Sequence, residues 1–292
     1  MFQQSFRPKS RMFQVSEIVG LSIAQLCRAG LLLCCLVGLN QSVLGETPTN
    51  FQPMDVFDLE YASYPQVSHD GEQVIYMRRS FNVMRDATRS ALWMVDLGTG
   101  NHEPLFADFG SYGWPTWSHS GEQIAYVTAS GRRHQIRILH LASGRTALLA
   151  DLADAPRWLA FSPDDRQIAF TQSIPQKVDA PLYKAPKKPK GAKWSAAAKV
   201  VDTVRYQFDG RGIVAPSFSQ VFVLPSDGGT PRQLTQGNYQ HVGPLAWRGD
   251  NDSLLFSANR REGWALETFE GDLYEVELSS LALRQVTTQP GR

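Results

Sequence analysis

Four copies of one short pattern constrain this chain more than any other feature. They read PQVSHDGEQVIYM at 65–77, PTWSHSGEQIAYV at 115–127, LAFSPDDRQIAFT at 159–171 and LAWRGDNDSLLFS at 245–257. With Ser68, Ser118, Ser162 and Arg248 as equivalent positions, the steps are 50, 44 and 86 residues. The last step holds a 42-residue insertion from Pro175 to Pro216, and removing it leaves 44. A period of this size built from short strands is the signature of a β-propeller, in which each blade is one four-stranded antiparallel sheet. The expected fold is therefore all-β, with about four blades in an incomplete ring.

The pattern inside one unit supports this separately. An apolar residue (Val67, Trp117, Phe161, Trp247) ends one strand, and a polar turn follows, with Asp70-Gly71 and Ser120-Gly121 supplying the positive φ of a tight hairpin. The runs Val74-Ile75-Tyr76, Ile124-Ala125-Tyr126, Ile168-Ala169-Phe170 and Leu254-Leu255-Phe256 are continuously apolar, as a strand buried on both faces requires. A second hairpin completes each unit, giving expected blades at about 55–108, 109–151, 152–236 and 237–289 within a propeller region of 46–292. Hydrophobic content of 42% with 7 Trp, 9 Tyr and 15 Phe suffices for a packed core.

Residues 1–45 read as a signal peptide. Arg7, Lys9, Arg11 and Arg28 precede the apolar stretch Ala29 to Leu39, and Val43 and Gly45 suit the residues before a cleavage site. An apolar run of 11 residues is too short to span a bilayer. The expected product is periplasmic or secreted, with no membrane attachment after cleavage. All three cysteines, Cys27, Cys34 and Cys35, fall in this segment, so the mature chain would have neither disulfides nor a cysteine nucleophile. It would carry 25 basic and 27 acidic side chains, a balance that gives no reason to expect a nucleic-acid partner.

The insertion packs six lysines around Pro and Ala in YKAPKKPKGAKWSAAAK and reads as a solvated excursion without a core. The alternation in VDTVRYQFDGRGI predicts a strand that ends at Asp209-Gly210 and returns the chain to its blade.

The S-x-D-G-x-x-I-A-F repeats, the lysine-rich stretch leading into VRYQFDGRGI, the following QVFVLPSDGGTPRQLTQGNY and the late SANRREGW resemble the N-terminal propeller of prolyl oligopeptidase family (S9) serine peptidases, especially the acylaminoacyl-peptidase-like branch. The resemblance covers about residues 55–289. It implies a two-domain enzyme in which a propeller of seven or eight blades filters peptides by size in front of an α/β-hydrolase domain carrying a Ser, Asp, His triad. The chain departs from that plan. It holds four blade-sized units and no G-x-S-x-G nucleophile elbow, so no triad residue can be placed on it. It reads as a substrate-gating portion truncated before its catalytic domain and inactive alone, with its own hydrolase domain and peptides as partners. A stand-alone periplasmic propeller of the Tol-system kind, acting as a protein- or peptide-binding scaffold, is the alternative.

No catalytic, metal or cofactor residue emerges from the remaining candidates. His69 and His119 share the turn position of Pro163. His134 and His140 flank Ile136, Ile138 and Leu139 and read as surface strand residues. Asp164 and Asp165 occupy a hairpin turn, and Glu267, Glu270 and Asp272 read as a solvated loop. Trp93, Trp117 and Trp247 are expected to pack between blades.

Overall fold

The computed structural model describes residues 50–106, 110–176, 186–195, 201, 204, 206–209, 212–267 and 270–288. The chain divides into two units, Met1–Gln52 and Pro53–Arg292. The expected signal segment and all three cysteines lie outside the described residues.

After a 3-10 turn at Pro53–Asp58, the second unit is built from four four-stranded antiparallel sheets. The first contains β1 (Tyr61–Val67), β2 (Gln73–Asn82), β3 (Ala87–Asp96) and β4 (His102–Pro104). The second contains β5 (Tyr112–Trp117), β6 (Gln123–Ser130), β7 (Arg133–His140) and β8 (Arg145–Leu152). In the third, β9 (Arg157–Phe161) and β10 (Gln167–Pro175) precede the insertion, which carries the small hairpin β11 (Gln207–Phe208) and β12 (Gly212–Ile213). The sheet resumes with β13 (Ser217–Pro225) and β14 (Arg232–Gln233). The fourth contains β15 (His241–Trp247), β16 (Ser253–Ala258), β17 (Asp272–Glu277) and β18 (Leu283–Gln285). Each sheet is a meander in sequence order, and the first strands β1, β5, β9 and β15 touch from one sheet to the next. These are propeller blades with their first strands gathered along one inner line. Among the described residues the first sheet packs on the second, the second on the third and the third on the fourth, but the fourth does not pack on the first, so the ring is open.

Each turn after the first strand is held by its own side chains. The hydroxyl oxygens of Ser68, Ser118 and Ser162 accept the N–H five residues on, from Gln73 at 2.9 Å, Gln123 at 3.0 Å and Gln167 at 2.9 Å. Ser68 and Ser162 also donate to Asp70 and Asp164, each at 2.6 Å, and these bonds lower both carboxyl pKa values. The residue that closes the turn has positive φ in every copy: Gly71 at 78°, Gly121 at 74°, Asp165 at 59° and Asn251 at 63°. Gly, Asp and Asn are the residues that adopt this conformation most readily.

Strand alternation divides the core into three layers. Ile75, Met77 and Leu92 of the first sheet meet Trp117, Ile124, Tyr126 and Leu139 of the second. Ile136 and Ile138 of the second sheet meet Ile168, Phe170, Phe222 and Leu224 of the third. Ala169, Val221 and Val223, on the third sheet's other face, meet Leu254, Phe256, Tyr274 and Val276 of the fourth. Central strands are thus buried on both faces, because each apolar side chain in a run points the opposite way from its neighbours.

The outer face of the first sheet departs from this. Val67 is 60% exposed, and Trp93 is only half-buried, with the Arg78 guanidinium 4.4 Å above its ring and His102 at 4.8 Å. Trp93 does not pack between blades, since no described blade lies on that side. Trp117 and Trp247 do serve between blades. Their indole N–H groups donate to Gln66 O at 3.1 Å and Ala160 O at 3.0 Å, one blade back.

The expected strand before Asp209 is also corrected. Of its described residues only Gln207–Phe208 are strand, and they pair with Gly212–Ile213 in a separate hairpin rather than rejoining the blade. The blade has no need of it, because β10 and β13 pair without interruption as far as Pro175 and Ser217.

Candidate functional site

The first strand of each blade is broken by a register shift, and the residues inside these shifts face the inner line. In β1 the shift falls between Ser63 and Gln66, in β5 between Gly113 and Thr116, and in β15 between Val242 and Ala246. In the third sheet it falls at Ala169/Thr171 on β10, opposite Trp158 and its neighbours. Bulges re-aim side chains. Tyr64, Trp114 and Trp158 take φ of 53°, 52° and 57° there, and their rings meet. Tyr64 and Trp114 are 4.2 Å apart between centroids, Trp114 and Trp158 4.7 Å, and Tyr64 and Trp158 5.7 Å. The fourth blade has Gly243 at this position, where a Cβ would come within 2.4 Å of the Trp158 ring. Sequence reasoning passed over all three aromatics, because a bulge residue falls outside the period-two pattern. The Pro after Tyr64, Trp114 and Gly243 was the available signal.

Beside Trp158 lies a cavity of about 590 Å³, walled by β9, β10, β13, the insertion hairpin and the loop after β16. Its aromatic surface comes from Trp158, Phe208, Phe218 and Trp264, with Phe218 and Trp264 edge to face at 5.9 Å. A volume of this order is typical of small-ligand and side-chain pockets.

His241 lies at the start of β15, next to this wall, and is fully buried. Its Nε2 is 2.7 Å from Arg260 Nη1, which can only donate, so Nε2 accepts and Nδ1 carries the proton given to Ser219 O at 2.9 Å. Burial, countered in part by the Ser219 bond and reinforced by Arg260, pushes the His241 pKa down to about 4. The imidazole is neutral and orients Arg260, whose guanidinium lies 4.4 Å from the Tyr239 ring centroid.

The acidic candidates resolve into structural roles. Asp272 is buried at the start of β17 and accepts from Arg261 Nε at 3.1 Å and Nη2 at 3.0 Å, while Glu270 holds Arg261 Nη1 at 2.6 Å. The solvated-loop reading is therefore corrected for Asp272 and Glu270, because a carboxylate without water needs such a partner, while Glu267 is exposed as that reading expects. On the outer face of the fourth sheet, Glu275 accepts from Arg284, from Ser253 at 2.8 Å and from Arg248 at 3.1 Å. These bonds, led by Arg284, hold its carboxyl at about 2. His69 and His119 sit in turns, their rings 5.9 Å apart. His134 and His140 end β7 half-buried rather than on the open surface. Among the described residues no group of three or more His, Cys, Asp or Glu could hold a metal ion.

Comparison with known proteins gives three kinds of match. Residues 199–292 match the family model of the dipeptidyl peptidase IV (DPP IV) N-terminal region. The uncharacterized peptidase YuxL of Bacillus subtilis (strain 168) is 26% identical over 214 residues, covering 71% of this chain and 31% of that protein. Among solved structures, acylaminoacyl peptidase of Pyrococcus horikoshii superposes with a TM-score of 0.57 at 14% identity, covering 80% of this chain and 33% of the other. TolB from Acinetobacter baumannii superposes with a TM-score of 0.50 at 15% identity, over 78% of this chain and 44% of the other. The chain spans about a third of the length of its peptidase relatives.

Proposed function

We infer that this chain, which carries the N-terminal propeller part of an S9 (prolyl oligopeptidase) family peptidase, is the substrate-gating portion of an exported enzyme of peptide hydrolysis. The observation that carries this reading is the match of residues 199–292 to the dipeptidyl peptidase IV N-terminal region, beginning inside the lysine-rich insertion. The convergence of Tyr64, Trp114 and Trp158 on the inner line supports it, since aromatic faces there can contact a passing peptide without demanding one sequence. Hydrolysis itself is assigned to an α/β-hydrolase domain outside these 292 residues, which contain no G-x-S-x-G, so the chain alone is inactive. Export to the periplasm or medium rests on the basic and apolar pattern of residues 7–45.

The fold likeness to TolB favours a second reading, a stand-alone propeller that binds peptides or proteins. The deciding experiment reads the gene past codon 292 and assays its whole product on N-acylated peptide p-nitroanilides. A downstream G-x-S-x-G with hydrolysis supports the peptidase. Unrelated downstream sequence and no hydrolysis overturn it in favour of the scaffold.

A further inference from the structure

The insertion hairpin does more than leave and re-enter the blade. Phe208 on β11 and Val214 after β12 form one wall of the cavity of about 590 Å³ whose floor is made by Trp158 and Phe218. Without the insertion the pocket would be an open depression on the blade end.

The polar groups of the wall are already engaged with one another. Gln240 accepts from Ser219 N at 3.0 Å and donates to Ser217 O at 2.8 Å. Gln172 donates to Asp154 O at 3.2 Å, and Ser173 donates to Ser217 Oγ at 3.0 Å. The two charged residues at the wall, Asp154 and Arg157, are of opposite sign, so the site has no net charge with which to draw in an ion. What it offers a ligand is mostly ring faces and aliphatic surface, which favour an uncharged side chain over one that must give up its hydration on entering.

The neighbouring backbone indicates what carries that ligand. Among the described residues β9 is an edge strand, paired with β10 alone, and Trp158 lies within it. An unpaired edge offers N–H and C=O groups to an extended segment laid alongside, while an adjacent pocket receives its side chain.

We propose that the cavity beneath the insertion hairpin receives an uncharged aromatic or large aliphatic side chain from a peptide segment extended along β9. This gives the gate a preference for apolar residues and rests on the peptide-handling reading above. Phe208 sets the selectivity, closing the pocket from a hairpin that is not part of the blade sheet.

The test titrates the 292-residue chain with N-acetyl-Ala-Phe-Ala-amide and N-acetyl-Ala-Glu-Ala-amide and follows tryptophan fluorescence, which reports through Trp158 and Trp264. Saturable quenching by the Phe peptide is expected, with the Glu peptide at least about tenfold weaker, the factor that 1.4 kcal/mol represents. Phe208→Ala should weaken the Phe peptide about tenfold with an unchanged far-ultraviolet spectrum, because Phe208 is 45% exposed and outside the core. Equal binding of the two peptides, no saturable signal, or full binding by Phe208→Ala overturns the proposal. Failure of this site is distinguishable from failure of the peptidase reading. Hydrolysis by the whole gene product without selective quenching removes the pocket alone, whereas selective quenching without hydrolysis supports the pocket on a binding module.

Discussion

The carboxylate of Asp165, in the turn of the third blade, accepts the backbone N–H of His119 in the turn of the second at 2.6 Å, and of Ser120 at 2.9 Å. One blade on, Asn251 occupies the same turn position and its Oδ1 accepts the N–H of Asp164 at 3.1 Å. Asn251 has only one such donor to meet, because the residue before Asp164 is Pro163, which has no N–H. In the first two blades the position is Gly71 and Gly121, which have no side chain to reach back. The sequence change from Gly to Asp and Asn thus turns a conformational requirement into a latch between blades.

Breaking that latch should cost stability. Asp165→Ala removes two bonds to a charged acceptor and leaves a Cβ residue at positive φ, a loss of about 2 kcal/mol, whereas Asp165→Asn keeps one acceptor and loses less. Urea unfolding of the three proteins orders them. Equal midpoints for all three would mean that the turns do not couple the blades.

Gly243 should be intolerant of any side chain. Its φ is not in the left-handed region, so the constraint is space alone: a Cβ would lie 2.4 Å from Trp158 Cγ and 2.7 Å from its Cβ. Gly243→Ala should destabilise by about 1–3 kcal/mol through overpacking and should alter the near-ultraviolet signal of the aromatic group. An unchanged melt and spectrum would show that the two blades can separate without cost.

Acid should destabilise the protein through His241. Its folded pKa, about 4, lies below the ordinary 6.5, so between these values the unfolded chain binds a proton that the native state refuses. Stability is full above about pH 6.5 and falls as pH drops toward 4, by about 2 kcal/mol at pH 5. Glu275 adds little down to pH 5, since its contribution is fully present above the ordinary carboxylate value of 4.5 and is lost progressively as pH falls from there toward 2. His241→Gln, which can still accept from Arg260, should lose less stability than the parent between pH 7.5 and 5. Identical losses would assign the effect to other groups.

Excising the insertion should leave the blade folded. Gln176 N donates to Pro216 O at 2.8 Å, just beyond the last strand pair Pro175–Ser217, so the hairpin can be closed by a two-residue Asn-Gly turn in place of residues 177–215. Shortening the loop should raise stability by up to about 2 kcal/mol through its smaller closure entropy, while removing the wall that Phe208 provides. Thermal unfolding checks it, and loss of the cooperative transition would show that the insertion supports the core.

Much of the fold was legible because it depends on local pattern. The serine of the first three turns or Arg248 of the fourth, the residue at positive φ and the apolar run after it lie within about ten residues, so their spacing prescribes a hairpin wherever it recurs. The runs through Ile168 and Leu254 announced burial on both faces, and the three core layers follow from that. The candidate site was hardly legible. Tyr64, Trp114 and Trp158 come from three blades and meet only because each sits in a bulge, and Asp272 gave no sign that Arg261 would turn back to meet it.

The sequence by itself determined that this protein is a row of antiparallel blades, because strand, turn and alternation are set by neighbours along the chain. Only the tertiary structure decided which aromatics face the inner line, which carboxylates are buried against arginines, and that the insertion closes a pocket. Those relations join residues tens of positions apart, whose distances are fixed by how one sheet packs on the next.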